Sequence, residues 1–112
     1  MDEKSEMAKL MLDMHSDLEN IQDKIKQNQN IGKFPENYNK IISAPMTQEG
    51  MRTESWESLA IAMIEAKKSL YEAQPEFQEQ AYKDAVNSCI ACHQAVGCRG
   101  PIPKIKKLAW KP

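Results

Sequence analysis

Five consecutive residues, Cys89-Ile90-Ala91-Cys92-His93, hold two thiols three positions apart and an imidazole directly after the second. On a helix, positions three apart share a face, so both sulfurs can reach one flat ligand, while the next residue lies about 100° further round. Such spacing allows two thioethers to join the vinyl groups of one porphyrin and the imidazole to turn under the ring to the iron. It is the c-type haem attachment signature, with Cys89 and Cys92 as the covalent anchors and His93 as the proximal iron ligand. Two other chemistries use a Cys-x-x-Cys pair. Redox exchange places it at the start of a helix after a strand, and no strand pattern precedes it here. Zinc would need two further donors, for which Cys98 and the distant His15 are the candidates, giving a zinc-stabilised helical interaction module.

The elements that must position this motif are helical. Met7, Met11, Met14, Leu18, Ile21 and Ile25 recur at steps of four and three with charged residues between them, which predicts a first helix over about 3–28 that ends in the stretch Asn28 to Gly32. Pro35 followed by Tyr38, Ile41 and Ile42 predicts a short second helix over about 35–43. Pro45, Thr47 and Gly50 read as loop. Thr53 then reads as the N-cap of a third helix over about 53–73, with Trp56, Leu59, Ala60, Met63, Ala66 or Lys67, and Leu70 on its apolar face. Pro75 starts a fourth, about 76–96, with Phe77, Ala81, Ala85, Cys89, Cys92 and Val96 on one side and Gly97 to close it. From Gly100-Pro101-Ile102-Pro103 onward the prolines predict an extended tail within 97–112. With no β-like alternation and no repeat, the class is all-α, a single domain over 1–112.

A helical bundle with Cys-x-x-Cys-His close to the end of its last helix resembles the cytochrome c′ family, including its methionine-ligated low-spin relatives. The likeness covers most of the chain in layout, and its specific motif is residues 89–93. The resemblance implies an antiparallel four-helix bundle, here three long helices and one short, enclosing one haem c. It also implies a possible homodimer and a sixth iron position that is either empty or filled from the first helix. Met11 lies at the family's distal position. The short second helix and the tail beyond the motif depart from the family pattern.

The sixth ligand decides the function. In an up-and-down bundle the first and last helices are antiparallel, which brings Met7, Met11, Met14 and His15 towards the haem. If the second segment serves only as a loop, the first helix runs parallel to the last and Met63 becomes the substitute. A thioether raises the reduction potential and suits electron transfer, a second histidine lowers it, and an empty site suits NO or CO. Met11 is the first choice, with Met14, Met7 and His15 as distal alternatives; for any single methionine, core packing is the more ordinary role.

Composition narrows the remaining classes. Of 112 residues, 41% are hydrophobic and 28% charged, with a net charge of −1, so there is no basic field or stacking surface for nucleic acid. No apolar run reaches bilayer length. Asp13 breaks the run Leu10 to Leu12, so no secretory leader is legible. Covalent haem is attached outside the cytoplasm in bacteria, which makes a periplasmic or otherwise exported location the expectation, with the signal removed from this numbering. Arg99, Lys104, Lys106, Lys107 and Lys111 follow the motif without an acidic residue, a patch that reads as a solvated tail or as a guide for an acidic redox partner protein. Cys98 is the odd cysteine, a small core residue or a site of intermolecular pairing. Trp56 and Trp110 read as structural or as packing on porphyrin. No nucleophile or acid–base pair for enzymatic catalysis is visible.

Overall fold

Ser5 opens the first helix by accepting the backbone N–H of Ala8 at 3.1 Å, a cap that the seam residues alone do not reveal. The computed structural model describes residues 5–43, 54–95 and 99–111 and is all-helical, with no strand among those residues. Helix α1 spans Glu6–Lys26, α2 Glu54–Glu72 and α3 Gln78–Ala95, each within a few residues of its expected bounds. Asn28, at φ 58°, takes the left-handed conformation that stops α1. Thr53, Val96, Gly97 and Cys98 lie outside the described residues, as do the loop formers Pro45, Thr47 and Gly50.

Three expectations need correction. The short second segment is a 3-10 helix, Glu36–Ile42, that buries Tyr38 and Ile41; a three-residue spacing suits the 3-10 period at least as well as the α period. Phe77 does not join the buried side of α3. It sits in the 3-10 turn Pro75–Phe77, ahead of the helix, and is 60% exposed. The tail is not extended. It folds into α4, Ile102–Lys106, because proline is tolerated at a helix start, and Pro101 at the cap with Pro103 in the first turn occupy such positions. Ile102, Ile105 and Leu108 are buried at steps of three.

Helix direction follows from the two core clusters. Met7, Leu10 and Met14 from the start of α1 pack with Trp56, Ala60, Met63 and Ile64 from the start of α2. Leu18 and Ile21 pack with Leu70, Tyr82, Ala85 and Val86 further along. Thus α1 and α2 run the same way and α3 returns against both. Ile31 belongs to the second cluster and Tyr38 and Ile41 to the first, so the connection between α1 and α2 carries the chain back along the bundle. A long return of this kind makes α1 antiparallel to α3 even though the second segment is short. The parallel arrangement expected of a mere loop does not arise.

Candidate haem site

Helix α3 presents the motif on one side. Cys92 is 8% exposed, while Cys89 and His93 are half-buried. Both cysteines are thiols rather than a disulfide. Cys89 touches both apolar clusters and so lies at their junction, and burial pushes its thiol up to about 11, with the Lys67 ammonium drawing it back down. A neutral thiol of this kind stays protonated at ordinary pH.

Met7 and Met14 are buried in the cluster that Cys89 touches, Met63 is buried with them, and Met11 packs against its edge. The register of the two helices separates these candidates. Across the antiparallel interface the Gln22 side-chain amide donates to the Tyr82 hydroxyl at 3.0 Å; eleven residues back along α1 and eleven onward along α3 bring Met11 level with His93. Met7 lies a turn beyond that level and Met14 most of a turn short of it. The α2–α3 pair packs closely, whereas the backbone of α1 stands away from α2 and long side chains such as Met14, Trp56 and Met63 bridge the gap.

A polar group that sequence reading placed on the apolar face only as an alternative to Ala66, and without a role, sits between the clusters. Lys67 is 1% exposed, and its ammonium lies 3.3 Å from Asp17. It also lies 4.7 Å from the Tyr38 ring centre and 5.5 Å from that of Tyr71. The Tyr71 hydroxyl donates to the same Asp17 oxygen, and Phe34 meets both tyrosine rings edge-on. Burial lowers the Lys67 pKa, while Asp17 opposes that shift. The available signal was a lysine on an otherwise apolar helical face.

His15 faces elsewhere. Its Nδ1 is 2.9 Å from Glu19 and its Nε2 is 3.2 Å from the Lys104 carbonyl, on the side of α1 that meets the tail. Glu19, Gln22, Asp23, Lys26, Lys104 and Lys107 line a groove there of about 670 Å³. Among the described residues no group of three or more His, Cys, Asp or Glu side chains is gathered to hold a metal ion, and His15 is not brought to Cys89 and Cys92. Cys98 lies outside the described residues. Arg99, Lys104, Lys106, Lys107 and Lys111 are all exposed. Trp56 is buried in the methionine-rich cluster. Trp110 instead meets Tyr82 edge-on at 5.7 Å, in the far half of the molecule.

The donor set fits a haem c: two thiols one helical turn apart, an imidazole at the next position, and a thioether level with that imidazole across the bundle. The space beside α1 is filled by flexible side chains, which can yield to a flat group. No helix among the described residues is long and apolar enough to cross a membrane. No family model matches the chain, and no curated protein or solved structure matches it.

Proposed function

We propose that this chain is an exported monohaem c-type cytochrome domain serving electron transfer, not an enzyme, built as a bundle of the cytochrome c′ type. The observation that carries the reading is the Cys89-Ile90-Ala91-Cys92-His93 sequence on one helix, with Cys89 packed against the cluster that holds Met7 and Met14 of antiparallel α1. The bound haem would supply one-electron exchange at its iron. Cys89 and Cys92 would anchor the group through thioethers, each formed by adding S–H across a vinyl group, which needs no oxidant. His93 and Met11, level with it across the bundle, would be the residues that hold its iron, while Met14 and Met7 remain packing residues. Trp56, Ile41 and Met63 keep water from that end of the core.

Protein purified from a host able to mature c-type haem should carry the mass of one haem that denaturation does not release, and Cys89→Ser with Cys92→Ser should remove it. A colourless chain of unmodified mass would overturn the proposal. Met11→Ala should convert a six-coordinate reduced spectrum into a five-coordinate one that takes up CO. If the unaltered protein already takes up CO, the gas-binding reading replaces electron transfer.

A further inference from the structure

The caged ammonium of Lys67 is costly to bury. A buried ion pair is often no more stabilising than apolar side chains of the same volume, so its presence in the middle of a helical core asks for a role. Its surroundings fix its direction. Asp17 lies on the α1 side, the rings of Tyr38 and Tyr71 flank it, and the Cys89 thiol of α3 feels its charge. The helix register gives the same neighbourhood without reference to charge. Five residues back from Gln22 is Asp17, five onward from Tyr82 is Asn87, and Cys89 follows within two positions. Lys67 and Cys89 thus both lie where the two clusters meet, and of the Asp17–Lys67 pair it is the ammonium whose charge acts on the thiol.

We propose that Lys67 is a positioning residue for the electron-transfer reaction: its buried, caged ammonium beside Cys89 raises the reduction potential of the attached haem. The inference rests on the haem reading above. A fixed positive charge in a low-dielectric core disfavours the ferric state, which carries one more positive charge than the ferrous state, and salt screens it little because water is excluded. The tyrosine rings hold the ammonium in place while their hydroxyls stay protonated, so they add no opposing negative charge.

Two measurements on the full chain test it. In the haem-free chain carrying Cys92→Ser and, if it reacts, Cys98→Ser, the rate of alkylation of Cys89 is followed against pH. Lys67→Met should move the reactive range to higher pH, and Lys67→Arg should leave it nearly in place. In the haem-loaded protein, Lys67→Met should lower the midpoint potential, Lys67→Arg should restore most of it, and Asp17→Asn should raise it. The double variant Asp17→Asn/Lys67→Met avoids a buried unpaired carboxylate and should fall between the two single variants. A loaded Lys67→Met protein with an unchanged or higher potential overturns the inference and leaves the haem reading intact. A chain that never acquires haem overturns the haem reading first.

Discussion

Around Trp56 the core mixes Met7, Met14 and Met63, with Met11 at its edge, with Leu10, Ile41 and Ile64, whereas around Tyr82 it holds Leu18, Ile21, Ile31 and Leu70 and no methionine among the described residues. The second region is also tied by directional bonds. Gln22 donates to the Tyr82 hydroxyl and reaches the Leu108 carbonyl at 3.3 Å, while its own oxygen accepts the Lys111 N–H at 2.6 Å. Tyr82 donates to Leu108 as well. Unbranched thioethers repack at little cost, but branched side chains and a satisfied polar network specify one arrangement. One end of the bundle can repack more freely while the other end keeps the helices and tail in register. Cys89 lies where the two meet.

The largest test of this division is a pair of deletions. Leu70→Ala, at a site with 0% exposure, should cost about 2–5 kcal/mol in denaturant unfolding of the haem-free chain. Met14→Ala, at 3% exposure in the adaptable end, should fall at the low end of that range, about 2 kcal/mol, because the neighbouring thioethers repack into the space. Comparable losses at the two sites would abolish the distinction. Next in size is Gln22→Leu, which takes the acceptor from the Lys111 N–H and the amide donor from the Tyr82 hydroxyl and should cost about 1–3 kcal/mol. Its signature is faster hydrogen exchange over residues 105–111, with exchange around Trp56 unchanged; a uniform rise along the chain would mean that the network does not belong to one end.

How far the sequence foretold this arrangement depends on the range of the interaction. The seam of α1 and the placing of Cys89 and Cys92 one turn apart on a helix were legible because helical spacing within one segment determines which residues share a face. Antiparallel packing of α1 and α3 was open at that level, because it depends on where the connection through Tyr38 and Ile41 takes the chain. The caged Lys67 was marked only by its place on an apolar face. Its partners Asp17 and Tyr38 come from other elements, and no local period announces them. The tail was misread for a different reason: Pro101 and Pro103 resemble helix breakers, yet both occupy positions in a helix start where the missing N–H has no intrahelical partner.

The junction between the regions should show itself in alkali. In the haem-free chain, burial pushes Cys89 up to about 11 from 9.0, and it raises Tyr38, Tyr71 and Tyr82 as well. Each of these groups holds its proton more tightly in the folded chain, so the stability it contributes is complete below its unfolded pKa and is lost as pH rises through the folded one. Lys67 has the opposite sign, because burial lowers its pKa and removing its proton relieves a cost. Four groups oppose one, and the unfolding free energy should fall from pH about 9 to about 11. Lys67→Met should steepen that fall. Attached haem converts Cys89 to a thioether and should shift the onset to higher pH, where only the tyrosines titrate. A haem-free chain whose stability rises across this range would show that Lys67 dominates the junction.

The smallest effect sharpens the account of the tied end. The Lys26 ammonium lies 5.2 Å from the Trp110 ring centre, on the exposed surface where the tail meets α1. Lys26→Met keeps an unbranched chain against the indole but removes the charge, so the loss should be about 0.5 kcal/mol. Trp110 also meets Tyr82, and the tail retains its bonds to Gln22. Tryptophan fluorescence should therefore change little, and hydrogen exchange at residues 105–111 should stay near that of the unaltered chain. If Lys26→Met frees the tail as completely as Gln22→Leu does, the hold on this end comes from the surface cation and not from the buried amide.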